Sequence, residues 1–263
     1  MSVIIAAGVT DLHLPRIGWR AISGTIAASG EAEGFEASLA ALPPTYNAWR
    51  PDAMPATWEV DAGAAVSVDY CGIGAHDIGT SEAAVIVEYW DGAAWEEVAS
   101  TEPDSDAALL LLFPAVTAQR WRIRLTGSTA PRIGNIRFGA VTKLPRQSTF
   151  APALPITESE QFTYNVNASA TGEWLGRSVV ANGLQFTVSV DFMPETFAAS
   201  EWADFRRHCN EGDATFFIAP KPINYPREVA YAWPLQTVLA ERTLPNKRVS
   251  RATEIQCGGY KRP

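Results

Sequence analysis

Val85-Ile86-Val87-Glu88-Tyr89-Trp90-Asp91-Gly92-Ala93-Ala94-Trp95-Glu96-Glu97-Val98, followed further on by Arg120-Trp121-Arg122-Ile123-Arg124-Leu125, decides the fold class. The first stretch is two β-rich runs closed by Asp91-Gly92, a dipeptide suited to the positive φ of a tight hairpin turn. The second alternates charged and apolar residues, the pattern of a strand with one face in a core and the other in water. Together they make an antiparallel β unit with a solvated face, and nothing in it supplies a catalytic group. Function is therefore expected to reside in architecture and surfaces.

Outward from this unit, Thr57-Trp58-Glu59-Val60-Asp61, Val66-Ser67-Val68-Asp69-Tyr70 and Asn135-Ile136-Arg137-Phe138 also alternate, each bounded by turns rich in Gly, Pro or Ala. Short strands with no helical period between them indicate a sandwich or jelly roll and not a βαβ sheet. Arg120, Arg122 and Arg124 share a strand face and are expected to pair with acids such as Glu88. Trp58, Trp121 and Trp202 have the periodicity of core residues.

Lys143 to Pro155 contains Pro145, Pro152 and Pro155, which deny the backbone donors a central strand needs, and is read as a semi-rigid connector. Two domains are expected, a β-sandwich over 1–145 and a second β domain over 146–263. In the second, Phe162, Tyr164 and Val166 alternate with Thr163, Asn165 and Asn167, and Phe186, Val188, Val190 and Phe192 alternate with polar residues, so a long hairpin with one apolar face is expected. A helix is expected at about 198–211, with Ser200 as N-cap, Gly212 at its end, and Trp202, Phe205 and Cys209 as a stripe packed on a sheet. Ala214 to Ala219, Val229 to Trp233 and Thr253 to Cys257 supply the later strands.

The chain has 263 residues, with 21 Lys and Arg against 29 Asp and Glu, a net charge of -8. The imbalance lies wholly in residues 1–145, which hold 9 basic and 17 acidic residues; residues 146–263 hold 12 of each. Without a dense basic stripe, nucleic acid is not expected as a partner, because that binding depends on Lys and Arg displacing counterions. The six basic residues from Arg242 onward form a local positive patch, either a contact for an acidic subunit surface or a solvated tail. Cys71, Cys209 and Cys257 lack CxxC spacing and are expected as buried free thiols. The N-terminus lacks the basic and apolar regions of a secretory signal, and the longest apolar run, Ala107 to Val116, is too short to span a bilayer, so no membrane insertion is expected.

No enzyme chemistry is expected. His13, His76 and His208 make no HExxH or HxH pairing, and no Gly-x-Ser-x-Gly elbow occurs. Gly72-Ile73-Gly74-Ala75-His76-Asp77-Ile78-Gly79 has the wrong spacing for a dinucleotide fingerprint and is read as a flexible inter-strand loop. Glu96-Glu97 and Asp104 with Asp106 are read as solvated faces in place of glycosidase carboxylates or calcium ligands. No cofactor and no metal is expected. Of the nine tryptophans, Trp19 and Trp49 differ in being followed by Arg20 and Arg50 in loop-like sequence. Aromatic and arginine side by side suit a carbohydrate or a protein contact, so Trp19, Arg20, Trp49 and Arg50 are the candidate ligand-binding residues; a Trp folded over the sandwich end is the other reading.

Residues of about 45–143 resemble a discoidin-type (F5/8 type C, galactose-binding-like) jelly roll on three features in order: Trp58 to Asp61, the Val85 to Val98 hairpin, and the Arg-rich strand from Arg120 to Gly127, closed by Ile133-Gly134-Asn135-Ile136-Arg137-Phe138. The sequence departs from that pattern in lacking a paired-cysteine bridge and a calcium loop. The second half resembles the β-barrel-plus-helix domains of tailed-bacteriophage tube, distal-tail and baseplate hub proteins: a long hairpin, a short helix against it, then closing strands. The combination is similar to a siphophage tail-tip protein. The resemblance implies a mostly β fold, an N-terminal jelly-roll sandwich followed by a tail-tube-like barrel or sandwich with one short helix. It implies a structural role in the virion, after synthesis in a bacterial cytoplasm: a ring of copies around the tail axis, with the tube, hub and tip proteins as partners and a host-surface glycan as a further one. Head-to-tail packing in such a ring covers edge strands, and the uneven charge of the halves gives neighbours complementary surfaces. The alternative is a carbohydrate-binding module that recognises a cell-surface glycan through Trp19 and Trp49; a glycoside hydrolase ranks last.

Overall fold

The alternating runs become strands, and two of them extend much further than their sequence pattern indicates. In the computed structural model, which describes residues 2–146, 149–150, 155–239, 241–243 and 250–261, the first half comprises β1 (Val3–Ile5), β2 (Arg16–Ala21), β3 (Thr25–Ala28), β4 (Ala56–His76), β5 (Ala84–Trp90), β6 (Trp95–Thr101), β7 (Leu109–Thr126) and β8 (Ile133–Lys143). The second comprises β9 (Thr149–Phe150), β10 (Glu160–Ala168), β11 (Trp174–Met193), helices α1 (Glu195–Ala199) and α2 (Glu201–Glu211), β12 (Phe216–Ala219), β13 (Ala230–Pro234), β14 (Glu241–Thr243) and β15 (Ser250–Gly259). The fold is mostly β, as the alternation implies.

The two runs Thr57 to Asp61 and Val66 to Tyr70 are parts of one strand, β4, of 21 residues. Its pairing with β7 slips between Asp61 and Val66 and again between Val68 and Tyr70, and Gly63 has a φ of 73°. These irregularities let β4 and β7 bend from one layer of a sandwich into the other. The first layer runs β3, β4, β7, β5, β6 through the early part of β4 and the late part of β7. The second runs β2, β8, β4, β7, β1 through their other ends. Between the layers lies the first core, with Trp58 and Trp121 at 2% and 0% exposure and their rings 6.4 and 5.9 Å from that of Phe138.

On the outer face of the first layer the expected ion pairs form. Glu88, buried, accepts from Arg122 Nε at 2.6 Å and Arg124 Nη2 at 3.1 Å, and Arg120 Nε reaches Glu59 at 2.6 Å. The hairpin turn is held by Asp91 Oδ1, which accepts from the amides of Ala93 and Ala94, and Gly92 supplies a φ of 109°.

The sheet does not stop at residue 145. β2 pairs with β8 on one side and with β12 on the other, so the order continues through β12, β13, β15 and β11 to β10. Ile17 and Leu144 lie in the second core, beside Phe186, Val188, Phe216 and Trp202. A third cluster joins the halves: Phe217 and Tyr231 pack on Tyr70, Leu110 and Leu112. This corrects the reading of Gly72 to Gly79 as a flexible loop for Gly72 to His76, which lie in β4; Asp77 to Gly79 lie in the turn that follows. Gly72 and Gly74 are in β4, where a Cβ would lie 2.5 Å from the Phe217 ring and 3.0 Å from that of Tyr231. Those glycines are flat seats for rings from the second half.

The helix forms where the Trp202, Phe205 and Cys209 stripe puts it, and all three are buried. Its start differs in part from expectation. Ser200 is the N-cap of α2 as expected, its carbonyl accepting from the Asp204 amide at 3.1 Å, but at φ −110° and ψ −97° its hydroxyl makes no capping bond and donates to the Thr196 carbonyl at 2.9 Å. A separate five-residue α1 precedes it and contains Ala198 and Ala199, both expected at the start of the one helix. All three cysteines are free and buried; burial pushes the Cys209 thiol up to about 12 and raises those of Cys71 and Cys257 further.

Candidate functional site

β11 has two distinct halves. From Leu184 on it pairs with β15 and buries Leu184, Phe186, Val188, Val190 and Met193. Before Leu184 its partner among the described residues is β10 alone, and the pair runs out from the body for about 30 Å at roughly 3.3 Å per residue. Between Glu160 and Ala181 nearly every residue is exposed. Strand alternation, with the register shift between Thr163 and Tyr164, places Phe162, Tyr164 and Val166 on one face with Val179 and Arg177. That face continues the core face of Leu184 and Phe186. Val166, Val179 and Leu175 are exposed at 60%, 57% and 64%. Among the described residues its local cover is the Arg177 guanidinium, 4.1 Å over the Tyr164 ring, and the Phe162 ring 5.9 Å from it. A two-stranded hairpin open on both faces is marginal by itself in water. Exposed apolar side chains gathered on one face of a projecting hairpin suit an interaction surface. The expected apolar face is present in part: Phe162, Tyr164 and Val166 share it, but their partners are residues 174–182, whereas Phe186, Val188 and Val190 pair with β15 and Phe192 is exposed.

The four candidate residues are placed apart. Trp19 packs against the second core, its ring 5.9 Å from Phe205 and 5.2 Å from His208, and its Nε1 donates to Thr142 Oγ1 at 2.8 Å. Arg20 lies 4.8 Å over that ring and pairs with Glu201 at 2.8 Å, so the two residues fasten β2 to α2. Trp49 is in the first core at 0% exposure, with Nε1 donating to the Gly30 carbonyl at 3.1 Å. It has no free ring face for a sugar. Arg50 is exposed, and its amide donates to the Phe35 carbonyl. Nothing in their sequence distinguished these tryptophans from loop residues, because β2 and the bridge from Trp49 to Ile133 are set by distant partners.

A residue that sequence reasoning passed over stands out instead. Tyr46 is 79% exposed and lines a groove between the sandwich and the outer face of β11 and β15.

The titratable groups serve packing. His208 Nε2 donates to the Thr215 carbonyl at 2.8 Å; burial holds its imidazole below the ordinary value, and the nearby Arg137 acts in the same direction. Arg137, buried, crosses from β8 to donate to that carbonyl at 2.8 Å, with its guanidinium 5.6 Å over the Tyr231 ring. Asp106 accepts from the amide and hydroxyl of Thr80, Glu97 accepts from Ser100, and Asp104 pairs with Arg227 at 3.4 Å. No cluster of three or more His, Cys, Asp or Glu suited to a metal occurs among the described residues, and no helix there is long and apolar enough to cross a membrane.

No protein-family model matches the chain, and no curated protein matches it. Solved structures similar to it include a pectin-binding carbohydrate-binding module, at 18% identity and a TM-score of 0.41, covering 46% of this chain and 93% of that one. The family 32 carbohydrate-binding module of C. perfringens NanJ, in complex with galactose, has 16% identity and a TM-score of 0.41 over 48% of this chain and 99% of that one. Chitosan-binding module 1 of a chitosanase/glucanase from Paenibacillus sp. IK-5 has 20% identity and a TM-score of 0.40 over 46% and 97%.

Proposed function

We propose that this protein is a structural subunit that associates with further copies of itself through the β10–β11 hairpin, in the setting its sequence resembles, a ring at the tail tip of a bacteriophage virion. The observation that carries this reading is the hairpin's apolar face, continuous with the core face and bare beyond Leu184. Both outer edges of the projecting hairpin are open to a further strand among the described residues, since β10 ends the sheet order and β11 pairs with β15 only from Leu184. An open edge beside an apolar face is complementary to another copy of the same hairpin, and a chain that met no partner would be exposed to uncontrolled aggregation. The acidic first half and charge-balanced second half favour head-to-tail contact. The role is mechanical, not catalytic. Light scattering across a range of concentrations tests it: we expect defined multimers of the wild type and a monomer for the double substitution Val166→Lys with Val179→Lys. A wild-type chain that stays monomeric at every concentration contradicts self-association.

A second reading, recognition of a glycan, is kept on one observation: Tyr46 holds its ring out in water on a loop fastened from both halves of the molecule. Capture of the wild-type protein on a printed glycan array tests that reading as a whole.

A further inference from the structure

Among the described residues Tyr46 is the most exposed large hydrophobic side chain. Its loop is held from two sides. Arg132 Nη2 donates to the Tyr46 carbonyl at 2.8 Å, and Tyr231 Oη, from β13, donates to the Pro43 carbonyl at 2.7 Å. An aromatic ring kept in water on an anchored loop contributes nothing to the buried clusters.

Tyr46 lines an open groove of about 680 Å³. The floor is the face of β11 and β15 turned away from α2, and it is bare at Gly183. That glycine has no positive φ, and a Cβ built on it would meet nothing closer than the Gly259 carbonyl oxygen at 3.4 Å. Neither the backbone nor the packing of this chain requires glycine there, although glycine inside a strand is destabilising and often marks a place where a ligand approaches closely. Around it stand Gln161, opposite Gly183 in register, then Gln185, and Trp233 opposite Gly258 on the neighbouring pair.

We propose that this groove binds an oligosaccharide carrying a carboxylate, with Tyr46 and Trp233 as ring platforms and Gln161 and Gln185 as hydroxyl partners. The inference deepens the glycan reading and rests on it. The apolar face of a pyranose stacks on an aromatic ring, and a carboxamide both donates to and accepts from neighbouring hydroxyls. The residues lining the groove include Arg132 and Lys261 and no acid. Lys261 is paired with Glu160, which leaves Arg132, one of whose nitrogens holds the Tyr46 carbonyl, to meet a sugar carboxylate.

Titration calorimetry of the full chain with trigalacturonate and with cellotriose tests this, on the wild type, Tyr46→Ala and Gly183→Leu. We expect the wild type to bind trigalacturonate at least tenfold more tightly than cellotriose, and each substitution to weaken that binding tenfold or more. Tyr46 is exposed and the space over Gly183 is open, so both variants should melt at the wild-type temperature. Binding unchanged in both variants overturns the groove while the glycan reading stands. Absence of binding to either trisaccharide overturns the proposed ligand, and a blank glycan array with the same protein overturns the glycan reading with it.

Discussion

His208 shows how a side chain that looks chemical in the sequence is absorbed by structure. It sits half-buried against the Trp19 ring, donating to the Thr215 carbonyl that Arg137 also holds. Burial, then Arg137, disfavour its charged form; the Thr215 bond and Asp213 oppose them without reversing the shift. The folded chain therefore takes up a proton at this site less readily than the unfolded chain, whose histidine titrates near the ordinary value of about 6.5. The sign follows: the stability is fully present above that pH and is lost as pH falls from there through the lower, folded value. Urea midpoints at pH 7.5 and pH 5.5 should show a larger drop for the wild type than for His208→Gln, and equal drops would rule out His208 as the titrating group. The candidate binding residues illustrate the same limit of sequence. Trp49-Arg50 reads like Trp19-Arg20, yet one tryptophan fills the first core and the other fastens β2 to α2. What separates them is a set of partners more than eighty residues away along the chain, such as Thr142 and Ile133, which no local pattern encodes.

At the scale of elements, alternation is a reliable guide to strands and a poor guide to their ends. The pairing of Glu88 with Arg122 and Arg124 and the Trp58 and Trp121 core are legible because residues two apart share a face. The merging of two runs into β4 is not, because Gly63 reads as a turn when it marks a bend. Nor is the role of Gly72 and Gly74, which depends on rings that arrive from β12 and β13. Placing a side chain at Gly72 should force the Phe217 ring off its seat and loosen the contact between the halves, at a cost of about 2 kcal/mol for overpacking. Chemical denaturation of Gly72→Val against the wild type measures that loss, and an unchanged midpoint would mean that the contact between the halves is loose. The hairpin stands between these cases. Its apolar face is legible in Phe162, Tyr164 and Val166, but whether such a face is covered is not: Leu184 and Phe186 lie in the second core, while Val166 and Val179 are exposed.

As a whole the molecule is one long sheet that changes partners along its course. The first half closes on itself as a sandwich and passes through β2 into the second, which closes on one side against α2 and at its far end leaves β10 and β11 in water. Charge follows the same division, with the acidic excess confined to residues 1–145. Such a chain has its own buried cores, yet it presents an apolar hairpin that a solitary protein would be expected to bury or charge. The central claim is that copies of the chain cover that hairpin for one another. Amide hydrogen exchange, followed by peptide from dilute to concentrated protein, tests it most directly. We expect residues 160–183 to exchange quickly in dilute solution and to become strongly protected as concentration rises, while the sandwich strands stay unchanged. Fast exchange of 160–183 at every concentration, or protection that is already complete in the dilute monomer, would contradict it.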